Sequence, residues 1–530
     1  MAETQCREVG QLQTQDSLLT RLKHNAKSPL YRVPPEILRM MFEFDLDNSL
    51  TENRGRMPRS AVLSHVCLRW RSVSLEDRRL WTTISPDITG KWQPEFAARS
   101  GSLPLDVSIR LRPPQGSVDI GRDVEAHMVT QHVTRIRCLD VQGGEPFASS
   151  LVKKAAPKLE TLSIHCAAPE PAHDPVRQCH IPVDIFANIA PRLHLLKLGW
   201  VRLPHTLPPP FENLKNIEAE SSLSALGVWK LLPSTTHIET LRFAMVDSPH
   251  TDDTFSRTTP ITAPALTTFV VSDIPVVKLV QMLANFLAAP SLSTIALCSI
   301  RISDLLTVYT LARALARHLP PHIDTLRQKH GPLHEAIVEP DRVVCWPTHL
   351  DTLSPRANDA GSRSPLTISW RSNDVFGYER LTASVLGMLP VDEVRTLHVS
   401  DRGYHPVVLE ELWIRLYPAA NVTVLHFAVG NTDGTMFLLQ ALTPLRCRAS
   451  RVQWWQIGPR MPEDPLFPEL EKLVFVAKEV DVHDGLFQAM LSRLAAARRV
   501  SGKPVQFACK KDHRAPEVLL EVKLADDAAD

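Results

Sequence analysis

Pro157-Lys158-Leu159-Glu160-Thr161-Leu162-Ser163-Ile164 and Pro191-Arg192-Leu193-His194-Leu195-Leu196-Lys197-Leu198 are two copies of one frame, a proline followed closely by L-x-x-L-x-L. The last residues of each copy alternate apolar and polar, the period of a strand with one buried face. The frame recurs with substitutions at Leu214-Ile217-Ala219, Ile238-Leu241-Phe243, Leu266-Phe269-Val271 and Leu292-Ile295-Leu297. It resumes at Val394-Leu397-Val399, Val422-Leu425-Phe427 and Leu470-Leu473-Phe475, with weaker copies starting at Ile136 and Val452. From 136 to 292 the copies follow one another at steps of 21 to 34 residues. Helical stretches are expected between them, at Leu223 to Leu232, Pro275 to Ala288, Val407 to Leu416 and Met436 to Leu442. One strand plus one helix per copy, stacked side by side, makes a curved parallel sheet with helices on its outer face. Prolines before the strands account for much of an unusual total of 43 in 530 residues.

The frame and its period resemble those of leucine-rich repeats. The resemblance implies an irregular leucine-rich-repeat-like α/β solenoid over 100–500; the competing expectation is an ordinary α/β domain whose buried strands read alike. The frame lapses over 303–390, which reads as an insertion with a flexible loop at 354–365. A helix from Asp484 to Arg499 is expected to cap the last repeat, and 501–530 ends in an acidic, frayed tail. The slot between the last two apolar residues of each copy is expected to face away from the helices. Those slots hold Asp140, Ser163, Lys197, Glu218, Arg242, Val270, Ala296, His398, His426, Gln456 and Val474. Such mixed chemistry suits a protein ligand better than a phosphate backbone, which selects Lys and Arg. Lys197, Glu218, Arg242, His398 and His426 are the candidate target-binding positions.

Residues 31–82 have a different character. Pro34 and Pro35 suit a first helical turn, with Glu36 at the positive end of the helix dipole. Ile37, Leu38, Met41 and Phe42 follow at helical spacing, read as one apolar face. Asp45 to Ser60 reads as a polar loop. A second helix carries Val62, Leu63, Val66, Cys67 and Trp70, and Ser74 is the expected cap of a third that ends near Leu80 and Trp81. Three helices in so short a span make a small core, so apolar surface is expected to be left for a partner or a neighbouring domain. Residues 1–30 read as a polar helix or linker.

Val33-Pro34-Pro35-Glu36-Ile37-Leu38, then Leu63-Ser64-His65-Val66-Cys67-Leu68-Arg69-Trp70-Arg71 and Arg79-Leu80-Trp81, resemble an F-box. Ser28-Pro29-Leu30-Tyr31-Arg32 and Arg99-Ser100-Gly101-Ser102-Leu103-Pro104-Leu105 resemble the flanks found in F-box proteins of mushroom-forming fungi. The resemblance implies binding to a SKP-type adaptor and, through it, to a cullin in an SCF-type ubiquitin ligase. Carried over residue by residue, it assigns adaptor binding to Pro34, Pro35, Ile37, Leu38, Leu63, Val66 and Trp70. The implied function is substrate recognition, with the repeat region holding a target protein; the alternative is a non-degradative scaffold.

Chemistry is sparse. Lys plus Arg is 59 and Asp plus Glu is 58, a balance that argues against a general polyanion binder. Nine dispersed cysteines without a CxxC read as reduced thiols in a cytoplasmic or nuclear chain. No apolar run has the length of a membrane helix or of a secretory leader. P-loop, nucleophile-elbow, zincin and dinucleotide fingerprints are absent from the sequence. His165, Cys166, His173, Cys179 and His180 form the nearest metal candidate, but no second cysteine pair completes a tetrahedral set. His318, His322, His330 and His334 are interrupted by Pro320, Pro321, Gly331 and Pro332. No enzyme, cofactor, metal, nucleic acid or membrane is expected.

Overall fold

The computed structural model describes residues 20, 23–48, 57–88, 91–111, 127–143, 153–166, 179–204, 206, 208–246, 261–347, 364–372, 378–400, 412–429, 435, 438–439, 441–443, 465–476, 485–510 and 517–520. The protein is α/β with a large, mostly parallel sheet. The chain divides into a unit over Met1–Leu214 and a unit over Lys215–Asp530.

The first unit begins with helices α1 (Pro35–Asn48), α2 (Arg59–Val66) and α3 (Leu68–Glu76), followed by a 3-10 turn at Arg78–Trp81. Strand β1 (Thr83–Ile84), helix α4 (Gln93–Arg99) and strands β2 (Leu105–Leu111), β3 (Ile136–Gly143), β4 (Thr161–His165) and β5 (Leu195–Gly199) follow. Each of these strands pairs in parallel with the next in chain order. The expected second helix is two, because Cys67 is extended (φ −158°, ψ 169°) and its Sγ accepts the Trp70 N–H at 3.5 Å as the N-cap of α3. Ser74, expected as a cap, lies inside α3 and donates its hydroxyl to the Arg71 carbonyl.

The second unit holds β6 (Asn216–Ser221), α5 (Ser222–Leu231), β7 (Thr240–Val246), β8 (Thr268–Ser272), α6 (Val276–Asn285) and β9 (Thr294–Ile302). Next come α7 (Leu305–His318), α8 (Pro320–His330), β10 (Glu335–Glu339), β11 (Arg342–Trp346), β12 (Leu366–Ser372) and α9 (Tyr378–Leu386). The unit ends with β13 (Thr396–Ser400), β14 (Val424–Ala428), β15 (Lys472–Val476), α10 (Gly485–Val500), β16 (Gln506–Lys510) and β17 (Val518–Leu519). Strands β6 to β9 form a parallel ladder in chain order, as do β13 to β16. The stretch 303–390, where the sequence frame lapses, supplies the strands between them. There β9 pairs with β12, β12 with β11 and β11 with β10 in antiparallel steps after the first, and β10 pairs in parallel with β13. Leu333, Ala336 and Val338 are a further copy of the frame, all buried, with Ala336 beside Leu397 and Val338 beside Val399.

Five of the frame strands are preceded by the same proline-bearing turn. The Leu159 N–H donates to the Ala156 carbonyl, Leu193 to Ala190, Leu266 to Ala263, Leu292 to Ala289 and Leu470 to Phe467, three residues back in each case. Pro157, Pro191, Pro264, Pro290 and Pro468 occupy the second position of these turns, where their fixed φ is already correct. The residues on either side of the turn are buried, as are the two frame residues of the strand that follows. Like positions then stack: Leu139, Leu162 and Leu196 in the first unit, and Leu397, Leu425, Leu473 and Phe507 in the second. The copy at Val452, Trp455 and Ile457 and the slot residue Gln456 lie outside the described residues.

Arg498 on α10 is 1% exposed. Its guanidinium donates to the carbonyls of Leu466, Phe467 and Pro468, the turn ahead of β15. Burial lowers its pKa to about 10, which leaves it charged at neutral pH. Leu425→Ala removes a fully buried frame residue, and a loss of about 2–5 kcal/mol in urea unfolding is expected. Arg498→Met keeps the volume but strands those carbonyls, and a comparable loss, about 2–4 kcal/mol, is expected.

Candidate docking interface

The helical unit is tied together from inside. Leu38 and Phe42 form the buried side of α1, and the Phe42 ring meets Trp70 of α3 at 5.0 Å between centroids. The Arg69 guanidinium donates to the Tyr31 and Val33 carbonyls and lies over the Tyr31 ring, fixing the chain that leads into α1. Trp81 is fully buried and donates its indole N–H to the Ser74 carbonyl at 2.8 Å. Its ring meets Phe96 at 5.1 Å and carries the Arg99 guanidinium 4.4 Å from its centroid. Arg135, just before β3, donates to the carbonyls of Ala97 and Leu103 and to the Ser100 hydroxyl. The helices are thereby joined to the first strands of their own unit.

The opposite side of α1 is apolar as well. Ile37, Met40, Met41 and Phe44 stand at i, i+3, i+4 and i+7, the spacing of a core-facing stripe, and are 43–72% exposed. Leu30, Met57, Val62, Val66 and Leu68 are exposed nearby in sequence. Half of the exposed large apolar side chains among the described residues fall between Leu30 and Leu68. That concentration makes this helical unit the candidate docking surface.

The expected adaptor-binding residues therefore divide. Pro34, Pro35, Ile37 and Val66 are exposed, while Trp70 is half-buried against Phe42. Leu38 and Leu63 are buried, at 0% and 8% exposure, and hold the helices together. The expected single face of Ile37, Leu38, Met41 and Phe42 is two faces, since Leu38 and Phe42 point inward and Ile37 and Met41 outward. Met40 and Phe44 were not singled out in the sequence, although their i+3 and i+7 spacing from Ile37 is a legible signal.

The slot residues form rows across the ladders. In the first unit Ser108, Asp140, Ser163 and Lys197 are consecutive partners, and the Ser108 hydroxyl donates to Asp140 at 2.8 Å. In the second unit Glu218, Arg242, Val270 and Ala296 form one row and His398, His426 and Val474 another. Arg242 is exposed, and Lys197, Glu218 and His398 are half-buried. Ala296, His426 and Val474 are buried, so that part of the row is not the open face expected of it. The apolar slots Val270, Ala296 and Val474 were the signal for this change. The His398 and His426 rings stack at 4.3 Å and 6°, and His398 Nε2 donates to Glu335 Oε1 at 2.9 Å.

His173 of the metal candidate lies outside the described residues, and among the described residues no group of three His, Cys, Asp or Glu could hold a metal ion. His318 ends α7 while His322 is buried in α8. Asn421, the acceptor of an N-x-T sequon, precedes β14 and donates its side-chain amide to the Asp392 carbonyl at 2.7 Å. Among the described residues no helix is long and apolar enough to cross a membrane.

No family model matches the chain. No curated protein matches it either. Among solved structures, a chain from the crystal structure of a TLR13–ssRNA13 complex aligns with it at 11% identity and a TM-score of 0.29. The alignment covers 69% of this chain and 46% of that one, so this chain spans under half the length of the protein it matches.

Asp77 links the helices to the 3-10 turn. Its carboxylate accepts from the Arg79 backbone N–H and side chain, and Arg79 also pairs with Glu43 of α1. Burial pushes the Asp77 carboxyl up, but the Arg79 hydrogen bonds and the charges of Arg79 and Arg39 outweigh it and hold it below the ordinary 3.8. A depressed carboxylate contributes stability above its unfolded-state value and loses it as pH falls through the folded-state value. Asp77→Asn should lower the melting temperature at neutral pH and shrink the further loss seen below about pH 4, measured by circular dichroism across a pH series.

Proposed function

We propose that the chain is a substrate-recognition subunit of an SCF-type cullin–RING ubiquitin ligase. In this reading residues 31–82 are an F-box that docks on a SKP-type adaptor, and the strands from β2 onward belong to an irregular leucine-rich-repeat-like solenoid that holds a target protein. The observation that carries the reading is the outward stripe Ile37, Met40, Met41 and Phe44, on a helix whose inner side is already filled by Leu38 and Phe42. A small helical unit with surplus apolar surface, a proline-led first helix and a half-buried tryptophan has the composition of an interface hot spot. Within the second unit the half-buried Glu218 and the exposed Arg242 carry opposite charges side by side in one slot row, which suits a protein target. Chemistry on the target would be done by other subunits, and this chain would contribute proximity alone. Such a subunit works in the cytoplasm or nucleus.

Capture of a fungal SKP-type adaptor and its cullin by the full chain tests the proposal. Ile37→Asp and Met40→Asp change exposed residues, so the fold should be retained, while adaptor affinity should fall by about 30-fold or more. Capture of adaptor without cullin would favour a non-degradative scaffold. Capture of neither partner, or capture indifferent to both substitutions, would refute the docking assignment.

A further inference from the structure

Helix α7 carries a second outward stripe, unconnected with the F-box reading. Its inner side is Val308, Leu311, Ala314 and Leu315, all buried. Its outer side runs Leu306, Tyr309, Arg313 and Arg317, with Leu305 alongside. At 100° per residue, Leu306, Arg313 and Arg317 fall on nearly one line along the helix, and Tyr309 lies beside it. Leu306 is 75% exposed and Tyr309 50%. The neighbouring helix α6, which packs against α7, adds Val277 at 60% exposure.

The stripe is apolar in its first half and cationic in its second. Arg313 and Arg317 are exposed, and neither makes a salt bridge with a described residue. The start of α7 is already complete: Asp304 accepts the Thr307 N–H at 2.8 Å in a capping box, so its first turn does not seek an anion. Two cations late in a helix complement its dipole, but that role does not explain why Leu305 and Leu306 ahead of them are 48% and 75% exposed. An occupant that covers Leu306 and Tyr309 and lies along the helix would meet Arg313 and Arg317 with its next turns.

We propose that the outer face of α7 is a docking surface for an acidic amphipathic segment of a partner protein, with apolar side chains against Leu306 and Tyr309 and carboxylates toward Arg313 and Arg317. Charge complementarity selects that occupant over a basic one, and two arginines on one short stripe are few for a lipid surface, where each basic residue adds only about 1 kcal/mol.

The test uses the full chain and two fluorescent helical peptides of about 15 residues, long enough to form a helix on binding. Both carry leucines at i, i+3 and i+4; one follows them with glutamates and the other with lysines. Anisotropy should show the glutamate peptide binding at least about tenfold more tightly than the lysine peptide. Leu306→Asp should abolish that binding, and Arg313→Glu with Arg317→Glu should reverse the preference. All these positions are exposed, and circular dichroism confirms that the variants remain folded. Neither peptide binding, or no discrimination between them, overturns the proposal. Sedimentation of the chain with phosphatidylserine vesicles, lost in Leu306→Asp and without peptide selectivity, would replace it with a membrane contact. Self-association lost in Leu306→Asp, again without peptide selectivity, would replace it with a contact between copies of this chain.

Discussion

Along much of the sheet, one carbonyl just ahead of a strand holds the neighbouring strand in place. The Lys215 carbonyl accepts from the N–H groups of both Glu239 and Thr240, at 2.7 and 3.0 Å. The Glu239 carbonyl in turn accepts from Thr267 and Thr268, and that of Thr267 from Ser293 and Thr294. The same link runs from Arg395 to Thr423 and Val424, and from Thr423 to Glu471 and Lys472. With both lone pairs of one oxygen used, a strand cannot slide without losing two hydrogen bonds and turning its apolar residues to the wrong face. The stacking of Leu397, Leu425, Leu473 and Phe507 follows from that constraint. Hydroxyls reinforce it where the sequence supplies them, as Thr267 does to the Glu239 carbonyl and Ser293 to that of Thr267.

The constraint is local, so what lies between strands is free to vary. The connection from β8 to β9 contains an α-helix, whereas that from β4 to β5 contains a two-residue strand at Cys179–His180 and a 3-10 turn at Ile185–Asn188 but no α-helix among its described residues. Between β9 and β13 the chain reverses twice and still rejoins the ladder, because β10 meets β13 in the frame register, Ala336 against Leu397. Variation of this kind places outward surfaces such as that of α7 without disturbing the sheet.

The helices of residues 31–82 answer to a different balance. Their inward side chains, Leu38, Phe42, Leu63 and Trp81, are committed to holding the unit together, and little core is left for the rest. A small unit has too much surface for its volume to hide every apolar residue. The outward residues of α1 are the remainder, and their regular spacing turns that remainder into a coherent surface.

The frame was legible in the sequence because a buried strand and its turn are local: apolar residues at fixed spacing and a proline whose φ suits the turn can be read from one short segment. Every described frame residue is buried as the pattern required. The division of α1 was harder to read, since Ile37, Leu38, Met41 and Phe42 are all apolar and periodicity alone does not say which side meets a neighbour; the Phe42–Trp70 contact decided it. Burial of Ala296, His426 and Val474 was likewise beyond the strand pattern, because what a sheet face meets is set by chain far away in sequence. Alternation and turns by themselves determined the ladder. Only the packing of distant segments decided which of its faces, and which side of each helix, stays open to a partner.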